Sequence, residues 1–351
     1  MKNHSFSRQG GLSLVEMMIG LVLGLVLVGG ILNVFLSNRE AFRVTENLAR
    51  LQENGRSAFE MLMRDIREAG GNPCGTRQIG NVLNGSAGLW WANWDGGTLR
   101  GFDNSVAGDA ATQIVAVGNQ TGQRVAGTDA LLVLSGNVLE GVTISTHSPN
   151  GSPANFAVNT VQHGISDGDI LIACDYRSGA IFQATNANPG INTTIVHNTG
   201  VGSPGNCSKG LGYPSLCTPN GTPKAYDGGG MLVRFYVAFW YIGNNARGGQ
   251  SLFRLTMVNS GGNQVAQTDE VAEGIQNLQV QFLMRNTTTL ALAGSYVDGS
   301  AVADWTITAP DQAAAARVEL TALSRDAVGT NQQPLRRQFL GVAQLRNRDI
   351  P

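Results

Sequence analysis

The chain is 351 residues long with a formal charge of −1, and its 24 Lys and Arg are scattered, with no run longer than the pair Arg336-Arg337. That length suits one large domain or two small ones, and a near-neutral chain without basic runs lacks the footprint of a dedicated nucleic-acid binder. Glycine is in excess at 46 residues, and beyond residue 70 it comes with Asn, Ser and Thr, a mixture that favours short strands and many turns.

Residues 1–11 form a short polar leader with Lys2 and Arg8, ending in Gly10-Gly11. Residues 12–36, LSLVEMMIGLVLGLVLVGGILNVFL, are almost all apolar and long enough for a helix across a bilayer. The run is too long for an ordinary secretory signal and no small-x-small cleavage site follows it, so the segment is expected to stay in the protein. Basic residues before it keep the leader in the cytoplasm and send the rest across the membrane.

Glu16 is the only charge inside the apolar run and stands fifth after Gly11. A carboxylate at the centre of a span costs ~2.5–3.5 kcal/mol, less near an end, and therefore asks for a partner. Cleavage after Gly11 would create one, the new α-amino group of Leu12 on a neighbouring subunit, and a misplaced subunit would leave the acid unpaired. The plainer alternative is that Glu16 reaches toward lipid headgroups one turn away. Gly20 and Gly24 form a GxxxG pair suited to close helix packing, and Gly29-Gly30 could equally mark a flexible or locally melted stretch within an assembly.

The helix is expected to continue through residues 37–70 as an amphipathic segment. Leu48, Leu51, Phe59, Leu62 and Ile66 make an apolar stripe. Glu46 with Arg50, Arg56 with Glu60, Glu60 with Arg64 and Arg64 with Glu68 are i,i+4 pairs on the solvated face. From Leu12 to about Ala69 the helix would be on the order of 87 Å long. Gly70-Gly71-Asn72-Pro73 would stop it and mark the domain boundary.

Residues 71–351 read as a β-rich globular domain. Strands are expected at 113–117, 130–134, 169–174, 180–185, 275–284, 317–322 and 339–345, with 231–242 and 252–258 paired across Gly243-Asn244-Asn245. The fold class is α+β, a long helix laid on a mainly antiparallel sheet. Residues 186–227, rich in Gly, Asn, Pro and Ser, read as a surface excursion held by Cys207 and Cys217. Cys74, Cys174, Cys207 and Cys217 all lie in this domain, and an even number fits two disulfides in an oxidising compartment. Four buried thiols are the alternative; the pairing is open, although Cys207 and Cys217 could close a short loop. No CxxC pair suggests a zinc ribbon.

QGGLSLVEMM at residues 9–18 resembles the processing site of type IV prepilins, in its glycine, its glutamate and its long apolar helix. The resemblance implies cutting after Gly11 by a prepilin peptidase and methylation of Leu12, where many members carry phenylalanine. Further along, LRGFDN (99–104), TDALLVL (128–134), DGDILIACD (167–175), AIFQAT (180–185), SLFRL (251–255), EVAEGIQNLQVQF (270–282) and LRNR (345–348) are similar, in this order, to blocks of PilW-like minor pilins. This implies a low-abundance subunit that primes or joins pilus assembly with other minor pilins and the major pilin at an inner-membrane assembly platform. Its C-terminal domain would lie in the periplasm before incorporation into the pilus. A minor pseudopilin of type II secretion shares the same N-terminal logic, and a membrane-tethered binding or adhesive domain is the alternative of another class.

Signals for chemistry are few. Gly200, Gly202 and Gly205 satisfy GxGxxG, but Pro204 and a turn-rich run follow where a phosphate-binding helix should start. His147, His163 and His197 are far apart in loop-like surroundings, without the spacing of metal ligands. Asp167, Asp169 and Asp175 could gather around calcium but are more often turn formers. Trp90, Trp91 and Trp94 are expected to pack against the long helix; the alternative is a stacking surface for sugars or a partner protein. No catalytic, cofactor-binding or metal-binding residue set is expected.

Overall fold

The computed structural model describes residues 11, 13–105, 110–226, 228–329 and 331–348. The leader residues Lys2 and Arg8 and the expected new N-terminus Leu12 lie outside the described residues. Helix α1 spans Leu14–Glu68. In the single chain it is unbroken at Gly29-Gly30, where the Asn33 side-chain amide donates to the Gly29 carbonyl at 3.0 Å. It ends as the sequence predicts: Gly70 takes φ 72°, and the Gly71 N–H donates back to Glu68 O at 2.8 Å before Pro73 is reached.

Two compact units make up the chain: the described residues up to Leu51 with Ser324–Leu335, and Gln52–Leu323 with the residues from Arg336 onward. In the first, Asn47 and Asp326 bond reciprocally: the Asn47 amide donates to Asp326 Oδ2 at 3.2 Å and Asp326 N–H to Asn47 Oδ1 at 3.3 Å. On the same stretch of helix Arg50 pairs with Glu46 at 2.7 Å, one of the expected i,i+4 pairs.

The second unit contains the strands β1 (Ile79–Asn81), β2 (Leu99–Phe102), β3 (Ala130–Ser148), β4 (Asn155–Val158), β5 (Ile170–Cys174), β6 (Gly179–Gln183), β7 (Asn186–Ala187), β8 (Thr194–Val196), β9 (Met231–Asn244), β10 (Gln250–Ser260), β11 (Asn263–Glu273), β12 (Ile275–Asn286), β13 (Val297–Asp298), β14 (Asp311–Leu323) and β15 (Arg336–Gln344). The main sheet runs β1-β6-β5-β9-β3-β4-β8-β7, with β10 added to β9, β11 to β10 and β2 to β3. Apart from the parallel β1–β6 pair, its named strands pair antiparallel. A second sheet runs β13-β12-β14-β15. The sheets meet at Asp129, whose N–H donates to Leu278 O at 2.9 Å while its Oδ2 accepts the Val280 N–H at 2.8 Å.

Strand alternation on β9 decides what each face carries. Phe235, Val237, Phe239 and Tyr241 face a core shared with Leu132, Leu134, Ile172 and the tryptophans. Tyr236 and Trp240 face residues 52–68 of α1, where both donate to Asp65. Along the helix the buried apolar residues are Leu51, Ala58, Leu62, Met63, Ile66 and Ala69, with Gly55 among them and Phe59 half-buried. Leu48, expected in the stripe, is 39% exposed. Gly55 is explained by close approach: a β-carbon there would lie 2.6 Å from Phe339 Cζ, well inside van der Waals contact. The helix therefore accepts the roughly 1 kcal/mol propensity cost of glycine to let the β15 ring sit against it.

Three expectations are corrected. Residues 113–115 form a turn, in which the Ile114 and Val115 N–H groups donate back to Ala111 O, and only Val117 makes an isolated bridge, to Arg124, so the run is too short and too closely flanked by turns to make a strand. The stretch 186–227, expected on the surface, is seated in part: Ile195, Leu211 and Tyr226 are fully buried in a second core with Phe156, Phe182 and Leu232, while Ile191, Val201 and Leu216 stay exposed. Trp91 and Trp94 pack on Phe235, at 6.5 and 6.3 Å between centroids, and Trp90 on Phe239 at 6.5 Å, so the cluster covers the sheet face opposite α1.

Candidate functional site

The N-terminal segment carries the features with functional content. Gly11 is exposed, and two residues on, Ser13 caps α1. The Glu16 N–H donates to Ser13 Oγ at 3.1 Å and the Ser13 N–H donates to Glu16 Oε2 at 2.9 Å. This is a capping box, in which two orphan donors of the first turn are satisfied reciprocally. The signal is present in the sequence as S-x-x-E directly before an apolar run, and neither the partner on another chain nor the lipid headgroups expected for Glu16 accounts for it. In the single chain the acid already has a local role.

Beyond Glu16, apolar side chains point outward on every face of the helix: Met17, Met18, Ile19, Leu23, Leu27 and Ile31, which together go round its circumference, are all more than half exposed. A helix apolar all round, without a core to cover it, belongs in lipid or among other apolar helices, and this one is long enough to cross a membrane. A β-carbon at Gly20 or Gly24 would meet nothing within 4 Å, so both glycines lie on open helix surface in the single chain.

The cysteines pair as Cys74–Cys174 and Cys207–Cys217, with Cα–Cα distances of 6.0 and 5.0 Å, and no described cysteine is free. The first closes 100 residues and ties the segment after α1 to the end of β5; the second closes 10 within the residues read as an excursion. Asp169 is ion-paired with Arg234 at 2.9 Å and Asp175 with Lys224 at 2.6 Å, each carboxylate with its own cation. Among the described residues no group of three or more His, Cys, Asp or Glu is placed to hold a metal. Gly200, Gly202 and Gly205 all take positive φ in turns, and the Gly205 N–H goes to Gln183 Oε1 at 2.8 Å.

The histidines depart from the sequence reading. Fifty residues apart, His147 and His197 meet Nε2 to Nε2 at 3.0 Å, both buried. His147 stacks on Phe156 at 3.9 Å, and its Nδ1 accepts the Tyr226 N–H at 3.3 Å. Burial holds both imidazoles down to about 3, helped at His147 by its histidine neighbour and at His197 by Lys209. Both are therefore neutral in the folded state, whereas an unfolded histidine titrates near 6.5. Their contribution to stability is fully present well above pH ~6.5 and is lost as pH falls toward the folded value, at roughly 1 kcal/mol per histidine over the first unit below ~6.5 and approaching ~1.4 kcal/mol for the next. Asp129, raised to about 6 by burial, works in the opposite direction and partly offsets the loss. An NMR titration is expected to show both rings neutral at pH 5 while the thermal midpoint has fallen from its value at pH 7.5. Two ring midpoints near 6.5 would refute the buried pair.

Residues 6–32 match the prokaryotic N-terminal methylation motif. No curated protein and no solved structure matches the chain. The matched segment carries a type IV pilin or pseudopilin-like prepilin signal and runs into a membrane-length apolar helix.

Proposed function

We propose that this chain is a non-enzymatic minor pilin of the PilW kind, cut after Gly11, methylated at Leu12 and packed through its N-terminal helix beside other minor pilins and the major pilin. The prepilin peptidase and the inner-membrane assembly platform are its processing and assembly partners, and residues 12–36 hold it in the membrane with the β-rich domain in the periplasm until it enters the pilus. The observation that carries this reading is a lone carboxylate, Glu16, at the head of a helix apolar on every side, within the matched motif. Such an acid is costly in lipid and gains most from a cation presented at one defined axial stagger. GxxxG at Gly20 and Gly24 supports close contact between neighbouring helices. The similarity of the blocks along residues 99–348 supports the PilW assignment over a pseudopilin.

The decisive experiment is mass analysis of the mature N-terminus. The expected polypeptide begins at Leu12 with one added methyl group, and Gly11→Val retains the full leader. A native protein that still begins at Met1 in cells with normal pili would sink the proposal.

A further inference from the structure

A cleft of about 730 Å³ opens where β9, the β10–β11 turn and the segment before β5 meet. That volume is in the range of ordinary small-ligand sites. One wall is apolar, with Phe235 and Met257 half-buried and Trp91 edge-on behind Phe235 at 6.5 Å. The other wall is a fixed polar network. Asp169 accepts from Arg234 Nη1 at 2.9 Å, from Asn259 Nδ2 at 2.7 Å and from the Ser166 N–H at 3.1 Å. Arg234 Nη2 reaches Gly164 O at 2.8 Å, and the Gln264 amide donates to Gly168 O at 2.8 Å. The Gln264 carbonyl oxygen and further N–H groups of Arg234 take no protein partner among the described residues, and the Arg234 side chain is 43% exposed.

The network selects by charge as well as by shape. Asp169 is 4% exposed and already holds three donors, so it offers little to an incoming cation, which Arg234 would also repel. An anion would meet two carboxylates, Asp167 and Asp169, on the same wall. What fits is an uncharged ligand with an apolar face and a polar edge that both donates and accepts. A sugar ring has that form: its C–H face lies on an aromatic, and its hydroxyls exchange bonds with planar side chains held in place beforehand.

We propose that this cleft binds a neutral saccharide, its C–H face on Phe235 and Met257 and its hydroxyls on Arg234 and Gln264. The site is independent of assembly and holds whether or not the chain is processed as a pilin. Of the tryptophans, Trp91 is the one that contributes, as backing for Phe235.

The test uses the full chain in a detergent without a sugar head group, titrated with glucose, galactose, N-acetylglucosamine and N-acetylgalactosamine and followed by saturation-transfer NMR and tryptophan fluorescence. At least one of these sugars is expected to bind saturably, with Kd in the range of about 0.1–10 mM. Phe235→Leu is expected to weaken binding roughly tenfold and Gln264→Ala several-fold, with thermal midpoints unchanged. Where Phe235→Leu lowers the midpoint, Gln264→Ala alone decides. Absence of saturable binding by all four sugars overturns the proposal, as does binding that neither variant alters. Tighter binding of sialic acid, inorganic phosphate or choline than of any neutral sugar overturns it as well.

Discussion

Glu16→Ala is expected to be cut and methylated normally yet to be depleted at least tenfold from sheared pili, while Ser13→Ala is depleted far less. The difference separates two roles of one carboxylate. In the single chain Glu16 exchanges hydrogen bonds with Ser13, and losing a cap of this kind costs about 1 kcal/mol at the start of the helix. In an assembly the same acid would leave the cap for the amine of an adjacent Leu12. Alanine brings no charge into lipid, but it leaves the neighbouring Leu12 amine without its counter-ion; stranding one partner of a buried pair costs about 3–5 kcal/mol, and each ~1.4 kcal/mol lost is tenfold in occupancy. Equal depletion in the two variants would confine Glu16 to starting the helix, and undiminished incorporation of Glu16→Ala would remove it from assembly altogether.

Asp65→Ala is expected to lower the stability of the β-rich unit by about 2–4 kcal/mol in chemical denaturation, and Asp65→Asn to leave it nearly unchanged. Asp65 Oδ2 alone accepts both the Tyr236 hydroxyl and the Trp240 indole N–H, each at 3.0 Å. Alanine strands two donors at a buried contact between α1 and β9. Asparagine keeps one carbonyl oxygen for both and removes a desolvated charge. Burial raises the Asp65 carboxyl above its usual range, against the opposing pull of Tyr236, Trp240, Arg254 and Arg64. The folded state thus prefers the protonated acid: this contribution is fully present below the unfolded pKa of ~3.9 and is lost as pH rises through the raised value. Asp65→Asn should therefore flatten the stability profile across that window. A large loss in Asp65→Asn would show that the charge itself, not the acceptor oxygen, holds the helix on the sheet.

The period of the apolar residues and the Gly70-Gly71 stop made α1 legible, and β-branched runs did the same for β5, β9, β10 and β12. Polar strands were harder. β11 carries Asn263, Gln264, Gln267, Thr268, Asp269 and Glu270 because it pairs on one side only with β10, so it lacks the apolar alternation that reveals a half-buried strand. The turn-rich composition of residues 186–227 suggested solvent, yet Ile195, Leu211 and Tyr226 are enough to seat it in a core. The His147–His197 pair, the Asp65 acceptor and the cleft beside Arg234 depend on contacts between residues 50 or more positions apart, which no local pattern encodes. The Ser13–Glu16 cap is encoded locally, as S-x-x-E within the same residues that form the processing motif.

Cys74 follows the end of α1 by only a few residues, and its bond to Cys174 joins that exit to β5. In the proposed fibre, tension arriving along the helix would pass from Cys74 straight into β5, so residues 75–173 are bypassed and need not unravel when the chain is pulled.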